Sequence, residues 1–323
     1  MPTSPSRPKL GISACLLGAN VRYNGGHKAS RLCLEDFARH FDFVPLCPEV
    51  AIGLGVPRPT LRLVGEATQP RAVASAVDSR DATLDHSAAL RRYGAEQAGQ
   101  LSELGGFIFM QKSPSCGLHR VKLYAEDGQP PMAGARGLFA EAFCAARPEL
   151  PVEEEGRLHD PRLRENFVTR VYAHLDWLAL CRAGLTHKAI LDFHSRHKYQ
   201  LLAHAPRQYA ELGRLLADIG RYPAEQFGPL YYRAFSQALG HCASRGSHSN
   251  VLQHLAGYLK RALGADDRAE LQRLIEQYRH GEVPLVVPLA LLKHHFRCHP
   301  HPYIARQAYL QPHPEALGLR NAI

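Results

Sequence analysis

The stretch GGFIFMQKSPSCG, residues 105–117, contains the pattern that decides the fold of the first half of the chain. Its apolar run, residues 107–110, follows two glycines and predicts a buried strand. Cys116 stands beyond the end of that run, among serine, proline and glycine, where a loop is expected. A cysteine that only packed the core would lie inside the run, so Cys116 is a candidate for chemistry.

Apolar runs and helical patterns alternate along residues 1–150. KLGISA (9–14), FDFVPLC (41–47) and FIFMQK (107–112) are strand candidates, and LRLVGE (61–66) predicts a third strand or an edge hairpin. Helical spacing separates them at 30–41 and 81–104. Strand and helix in alternation predict an α/β domain with a mainly parallel, Rossmann-like sheet and right-handed crossovers.

The two helical segments carry specific expectations. Ser30 is placed as the N-cap of the first. The apolar positions expected on the buried faces are Leu34, Phe37 and Phe41 in the first helix and Leu84, Ala88, Leu90 and Leu101 in the second. Gly105 and Gly106 are expected to close the second helix.

Two further cysteines occupy the position that Cys116 has, since Cys15 follows the first strand and Cys47 the second. The carboxyl ends of parallel strands meet at one edge of a sheet, where ligands collect, so the three thiols are expected to converge. Such a set suits a metal or an iron–sulfur cluster, in which three cysteines would leave one iron of a cubane open to substrate. Glu49 is close enough to act there, and Cys33 is expected to be a packing residue. Spacing alone leaves open that the three are unrelated loop thiols.

The second half of the chain changes character and predicts an all-α domain. Asp160 and Pro161 form a good N-cap and N1 pair. Further helices are predicted from Thr186 onward, at 206–220, 223–239, 249–263 and 266–280, and at the end of the chain. An exposed linker is expected at 148–155, dividing a domain of residues 1–150 from one of residues 156–323.

Composition and charge limit the class of protein. The 323 residues are 45% hydrophobic and 21% charged, which is typical of a globular protein, and the net charge is +9. Residues 156–323 hold 22 Lys and Arg against 13 Asp and Glu, which favours a polyanionic partner or a solubilising surface. No stretch would span a bilayer and no signal sequence is evident, so a cytoplasmic protein with no membrane partner is predicted. The eight cysteines are then expected as thiols or ligands, and no pattern indicates an oligomeric state.

The motifs ACLLG…VRYNGG, LCPEVAIGLGVPRP and KSPSCG together resemble the signatures of the thiouracil desulfidase family over residues 9–145. The resemblance implies a 4Fe-4S cluster held by Cys15, Cys47 and Cys116, with one iron free. It also implies that Glu49 handles protons and that a serine beside the last cysteine assists. Ser113 is chosen for that role over Ser115.

Residues 156–323 resemble the helical domain often fused to such desulfidases, on FHSRHKYQLLAH, RGSHSNVLQHLAGYLKR and HPYIARQAYLQPHP. The fused architecture is similar to that of bacterial tRNA 4-thiouridine desulfidases. It implies hydrolytic, non-redox conversion of 4-thiouridine in tRNA to uridine, with release of hydrosulfide. Two alternatives remain: a desulfidase of small thiolated pyrimidines such as free thiouracil, and a non-catalytic, nucleic-acid-binding iron–sulfur sensor.

Several residues near these motifs are candidates for substrate contact. Tyr23 is available to stack on a base and Asn24 to read its edge, although NGG also predicts a plain turn. Arg58 could grip a phosphate or pair with a carboxylate of the same rim. The complete substrate-binding set is Tyr23, Asn24, Arg58, Lys112 and Ser115.

The segment HSRHKYQLLAHAPR (194–207) predicts a basic helix face for RNA, with Tyr199 among its cations and Leu201 and Leu202 toward the core. The RNA-binding candidates are His194, His197, Lys198 and Arg207. In the tail, histidines and Cys298 at 294–301 have the ligand types of a zinc site but are crowded. Histidines packed among aromatic rings, or facing RNA, explain the tail more simply.

Overall fold

The computed structural model describes residues 7–65, 74–125 and 132–323. The chain divides into two compact units, an N-terminal unit, Met1–His159, and a C-terminal unit, Asp160–Ile323. The expected order, a parallel-sheet α/β region followed by a helical region, is confirmed. No helix in the described ranges combines the length and the apolar character needed to cross a membrane.

The strands of the N-terminal unit form two sheets. The strands described are β1 Lys9–Ser13, β2 Asp42–Leu46, β3 Leu61–Val64, β4 Ser75–Asp78, β5 Gly106–Phe109, β6 Val121–Tyr124, β7 Met132–Ala135 and β8 Val152–Glu154. The first sheet has the order β2-β1-β5-β8, and each neighbouring pair is parallel. Gly11 of β1 lies opposite Phe107 of β5, where a Cβ atom would stand 2.2 Å from the Phe107 ring. Glycine there lets the aromatic core pack directly onto the sheet.

The second sheet, in the order β4-β3-β6-β7, is mixed. β3 pairs antiparallel with β4 and parallel with β6, and β6 pairs antiparallel with β7. The predicted strand at 61–66 is therefore present, as part of a hairpin with β4. Sequence analysis did not predict β4, β6 or β7, each only four residues long.

The helices of the N-terminal unit are α1 Pro48–Ala51, α2 Ser87–Gln100 and α3 Leu138–Ala146. The predicted helix at 30–41 is a π-helical turn, Leu32–Asp36, followed by a 3₁₀ turn, Phe37–Arg39. This winding buries Cys33 and Phe37 but leaves Leu34 exposed, so the expected burial of Leu34 is wrong. Leu84 and Ala88, expected on the buried face of the second helix, are also exposed. Leu84 lies before α2 begins, and Ala88 is on the solvent face of α2.

The acidic run at 153–155 is not part of an exposed linker, so that prediction is wrong. Glu153 and Glu154 belong to β8, which pairs with β5, and all three glutamates are buried. Glu155 accepts hydrogen bonds from Ser30 Oγ at 2.6 Å and from His159 Nε2 at 3.1 Å. Ser30 lies 3.5 Å from the amide of Cys33 and makes its shorter bond to this carboxylate.

The C-terminal unit is helical throughout its described length. Its helices are α4 Pro161–Ala183, α5 His187–His204, α6 Pro206–Ala217, α7 Ala224–Leu239, α8 Arg245–Tyr258, α9 Ala265–His280, α10 Val286–Cys298 and α11 Pro302–Ala305. Asp160 caps α4 as predicted, since its carboxylate accepts from the amides of Arg162 and Leu163. α8 begins earlier than expected because Ser244 forms a capping box with Ser247.

Candidate functional site

Cys15, Cys47 and Cys116 line one cavity of about 470 Å³ at the carboxyl edge of the parallel sheet. Cys15 lies in a 3₁₀ turn directly after β1, and Cys47 joins the end of β2 to α1. Cys116 lies in the loop after β5. Glu49, in the first turn of α1, faces the same cavity. The topology therefore brings together the thiols and the carboxylate that the sequence singled out.

The loop that presents Cys116 is fixed from several sides. Ser113 Oγ accepts hydrogen bonds from the amides of Ser115 and Cys116, at 3.2 and 3.1 Å. Gly137 allows the start of α3 to approach, since a Cβ atom there would lie 2.5 Å from the carbonyl carbon of Ser115. Glu154 of β8 accepts from the next two amides, those of Leu118 and His119, at 2.8 and 3.0 Å. The acidic run thus holds the loop on which the third cysteine stands.

Glu49 is hydrogen-bonded through both of its oxygens. Arg58 donates to Oε2 from Nε and Nη2, and Ser115 Oγ donates to Oε1 at 2.8 Å. Arg58 also donates to the carbonyl oxygens of Gly55 and Val21. The carboxylate-pairing interpretation of Arg58 is therefore the one observed, and four of its five N–H groups donate within the site.

The two serines of KSPSCG have different surroundings. Ser113 lines the cavity, whereas Ser115 is fully buried beneath it and contacts Glu49. A hydroxyl group has two acceptor positions and one proton to donate. Because Ser113 already accepts from two amides, its remaining capacity is to donate.

Burial dominates the acidity of the three thiols. It raises the pKa of Cys15 to about 11, helped by Cys47 and opposed by the charge of Arg22. Burial likewise raises the pKa of Cys47. It raises that of Cys116 well above its usual range, although a hydrogen bond with Ser13 opposes the shift. Metal ligation needs thiolates, so loading this site must release protons.

The remaining cavity wall includes basic side chains and an aromatic ring. Arg22, Lys28 and Lys112 line it, and Lys112 has a left-handed backbone with φ of 59°. Tyr23 lines the cavity and is 41% exposed, as a stacking residue would be. Asn24 instead closes the turn by accepting from the amide of Gly26 at 3.2 Å. The turn interpretation of NGG is therefore the one observed, and stacking by Tyr23 stays a prediction.

The donor set fits a cluster better than a single ion. Across residues 7–65, 74–125 and 132–323, no three His, Cys, Asp or Glu side chains converge closely enough to hold one metal ion. In an iron–sulfur cluster each cysteine binds a different iron, so the thiolates need not meet at one point. Cys15, Cys47 and Cys116 line one cavity, so the donor set fits a cluster that these three residues would hold.

The structure corrects the predicted RNA-binding face of α5. His197 is buried and contacts Asp176, at 2.9 Å, and Gln200. His194 contacts the hydroxyl of Tyr231, and burial lowers its pKa to about 4, so it is neutral at pH 7. Tyr199 is also buried and Lys198 is half-buried, so Arg207, at the start of α6, is the exposed cation among the four candidates. Helical spacing alone could not show that α4 and α7 cover the same face.

The histidine-rich tail packs partly among aromatic side chains. His301 contacts the ring of Tyr258 edge-on at 4.9 Å between centroids, and His295 is buried. His294 and Cys298 lie one helical turn apart, 3.8 Å between Nε2 and Sγ. The His301–Tyr258 contact matches the aromatic-packing interpretation, and among the described residues no third ligand joins His294 and Cys298.

Sequence reasoning missed Ser13, Arg22 and Lys28 as parts of the site. Ser13 accepts from the amide of Met110 at 2.9 Å and contacts the thiol of Cys116, so it ties the first and third cysteine-bearing segments together. The position of Ser13 at the end of β1, two residues before Cys15, could have indicated that it lies in the site. The backbone amide of Lys28 donates to the carbonyl of Cys15. The chain therefore folds back onto the first cysteine, which sequence spacing does not reveal.

Two protein families match separate parts of the chain. The family model of 2-thiouracil desulfurase matches residues 10–155, and that of a protein of unknown function, DUF1722, matches residues 198–314. The uncharacterized protein YbgA of Escherichia coli (strain K12) is 34% identical over 165 residues, covering 50% of this chain and 96% of YbgA.

A solved structure, that of the 4Fe-4S-dependent thiouracil desulfidase TudS, is 31% identical and is matched over 48% of this chain and 95% of its own, with a TM-score of 0.36. The family model over residues 10–155 confirms the resemblance to thiouracil desulfidases noted in the sequence. Through residues 10–155 the chain belongs to the 2-thiouracil desulfurase family, with a YbgA-related DUF1722 region in its C-terminal half.

Proposed function

We propose that this protein is a tRNA 4-thiouridine desulfidase, which converts the thiocarbonyl of the base to a carbonyl with water and releases hydrosulfide. The proposal depends above all on one observation, that three thiols and the Glu49 carboxylate line a single cavity at the rim of the parallel sheet. Replacement of sulfur by the oxygen of water changes no oxidation state, so the reaction is hydrolytic and non-redox.

Cys15, Cys47 and Cys116 would hold a 4Fe-4S cluster, the cofactor named for TudS. When bound, a cluster with one iron free of protein ligands supplies a Lewis acid for the sulfur of a thiopyrimidine. Three cysteines line the cavity. That number would leave one iron of a cubane without a protein ligand.

Glu49 is the proposed general base. Its Oε2 accepts both hydrogen bonds from Arg58, while Oε1 accepts one, from Ser115. A carboxylate oxygen has two lone pairs, so Oε1 keeps one that can take a proton from water. Arg58 and Ser115 fix the direction of that lone pair and are positioning residues.

Ser113 is the proposed donor to the developing charge. Its hydroxyl accepts from two amides, which orients the oxygen and leaves its proton for the cavity. Because this hydroxyl is already oriented, the protein does not have to reorganise when negative charge develops on the thiolated pyrimidine ring. Tyr23, half-exposed at the mouth, would stack on the thiolated base.

A polynucleotide substrate is supported by charge. Arg22, Lys28 and Lys112 line the cavity, and residues 156–323 carry an excess of nine positive charges. Phosphate groups of RNA would complement both sets. Thiouracil, the substrate named for TudS, favours the second candidate, a desulfidase of free bases.

One experiment separates the candidates. The protein is reconstituted without oxygen, and the near-ultraviolet band of the thiocarbonyl is followed in bulk bacterial tRNA and in free 4-thiouracil. Loss of the band in tRNA supports the proposal, and loss only in the free base supports the second candidate. Tight tRNA binding with no loss in either would instead indicate a sensor. Glu49→Gln, loaded with the same cluster, is the matched control for chemistry.

A further inference from the structure

A second cavity, of about 210 Å³, lies within the C-terminal unit. Its polar wall is formed by Glu165 and His248 at depth and by Arg162, Arg245 and Ser244 nearer the surface. These residues come from α4, α8 and the turn that precedes α8. The cavity uses none of the cysteines of the N-terminal site.

Glu165 is almost completely buried, yet only one of its oxygens is satisfied. Its Oε1 has three neighbours, Thr169 Oγ1 at 3.2 Å, Arg320 Nε at 3.4 Å and His313 Nε2 at 3.7 Å. Among the residues that the structure describes, Oε2 has no hydrogen-bond or ion-pair partner. This oxygen is therefore the one left to accept a hydrogen bond from a ligand or water in the cavity.

His248 presents a similar atom to the same cavity. Its Nδ1 contacts the hydroxyl of Tyr309 at 2.9 Å, while within the described ranges its Nε2 has no hydrogen-bond partner. Burial lowers the pKa of His248 to about 3, so the ring is neutral at pH 7. Two deep polar side chains thus face one space with unused hydrogen-bonding atoms.

The mouth of this cavity is cationic. Arg162 donates to the carbonyl of Ala243, and Arg245 Nη1 donates to that of Tyr278 at 3.1 Å, so both guanidinium groups are held by backbone. In the described part of the chain neither has a carboxylate within ion-pair distance. The N-terminus of α8, at Arg245, adds its positive dipole end.

The charges of the wall indicate the class of ligand. Among the side chains that line the cavity, Arg162 and Arg245 outweigh Glu165 by one positive charge. A guanidinium fork matches phosphate geometry, and a phosphate monoester carries close to two negative charges at neutral pH. The open oxygen of Glu165 can, in addition, accept a hydrogen bond from an N–H or O–H group of the ligand.

We propose that this cavity is a second ligand site, which binds a small phosphate monoester that also carries hydroxyl or N–H donors. The phosphate contacts Arg162 and Arg245 at the mouth, and a donor of the ligand reaches Glu165 Oε2. The site is independent of the desulfidase site and of any cluster. A nucleotide and a sugar phosphate share this chemistry.

Calorimetric titration of the full-length, cluster-loaded protein tests the proposal. The probes are uridine 5′-monophosphate, ribose 5-phosphate and inorganic phosphate. We expect at least one ester to bind with a Kd below about 1 mM and more tightly than inorganic phosphate. Binding of both esters would indicate a sugar-phosphate determinant, and binding of the nucleotide alone a base determinant.

Variants then assign the binding to this cavity. Arg162→Gln should weaken it about tenfold or more, because a charge-assisted hydrogen bond is lost. Ala243→Phe should abolish it by filling the space, with no buried polar partner removed. Arg261→Gln, an exposed arginine of the same unit outside the cavity, should leave it unchanged.

Three outcomes would overturn the proposal. They are no ester binding in this range, equal binding of inorganic phosphate and both esters, and unchanged affinity in Ala243→Phe. The last would place the ligand elsewhere, for example against the cations of the N-terminal cavity. Desulfidase activity is measured on the same samples, so failure of this site is distinguished from failure of the proposed function.

Discussion

Two N–H groups of Arg58 converge on a single oxygen of Glu49, at 2.9 Å from Nε and 2.6 Å from Nη2. The side chains are only 4% and 15% exposed, so the pair is largely removed from water. The same guanidinium holds the carbonyls of Gly55 and Val21. Arg58 therefore couples the direction of the proposed base to the loops on either side of it, and its loss should affect both stability and catalysis.

Replacement of Arg58 by Gln should destabilise the N-terminal unit by about 3 kcal/mol, because Glu49 is left buried without its cation. The free energy of unfolding is measured by pulsed alkylation of the fully buried Cys33 at increasing urea concentrations. Arg31→Gln, which removes an exposed pair with Glu35, is the control and should shift the midpoint little. Equal midpoints for the two variants would contradict the buried pair.

Replacement of Glu49 by Gln should lower desulfidation by about 10²- to 10⁴-fold, the usual contribution of a general base. The amide keeps the size of the side chain, so cluster absorbance should be retained. The measurement is the initial rate of loss of the thiocarbonyl band at saturating substrate. Full activity in this variant would exclude Glu49 as the base.

Alanine variants of the two serines in the Cys116 loop should lower activity to different extents. Ser113→Ala removes the hydroxyl that faces the cavity and should lower kcat about 10²-fold, the loss expected for a preorganised donor. Ser115→Ala removes only a hydrogen bond to Glu49 Oε1 and should cost about tenfold. The reverse order would transfer the direct role to Ser115.

Cys116→Ser should yield colourless protein after anaerobic reconstitution, because the proposed cluster loses one of three ligands. Cys144→Ser is the matched control, since Cys144 is partly buried in the same unit but does not line the cavity. The readout is visible absorbance together with iron and sulfide per chain. Full absorbance in Cys116→Ser would remove Cys116 from the ligand set.

The convergence of the three strand-ending cysteines could be predicted from the sequence. It follows from one rule, that the carboxyl ends of parallel strands lie at the same edge of a sheet. The acidic run at 153–155 was misread because composition suggests exposure. Its carboxylates are buried against Ser30 Oγ and the amides of Leu118 and His119, partners distant in sequence. The prediction that His197 is exposed to RNA was wrong for the same reason, because its partner Asp176 lies on the preceding helix, α4. Periodicity shows a face of a helix but not what covers it.

The RNA binding proposed for the C-terminal unit should depend on the exposed Arg207 and the half-buried Lys198, and not on the buried His197. Lys198→Gln and Arg207→Gln should each weaken tRNA binding and reduce the dependence of log K on log salt by about one phosphate contact. His197→Gln should instead lower stability, because it breaks the contact with Asp176. Filter binding at several salt concentrations, with urea unfolding beside it, separates the effects. A flat salt response in the parent protein would contradict an electrostatic role.

The buried histidine of the second cavity should make the C-terminal unit less stable in mild acid. Burial lowers the pKa of His248 to about 3, whereas in the unfolded chain it titrates near 6.5. Between these values the unfolded state binds a proton that the folded state excludes, so stability falls as pH decreases from about 6.5, by up to about 1.4 kcal/mol per pH unit. Burial lowers the pKa of His204 as well, which adds to the same slope.

Glu165 should not contribute to that slope above pH 5. Burial favours its neutral form, but His313 and Arg320 overcome this and hold its pKa well below the usual range. It is therefore ionised in both states in this window. Urea unfolding at pH 7, 6 and 5, followed by fluorescence of Trp177, the single tryptophan, reports on this unit. His248→Gln should flatten the pH dependence, and the exposed His254→Gln should not. A slope unchanged in His248→Gln would show that its ring is protonated in the folded state.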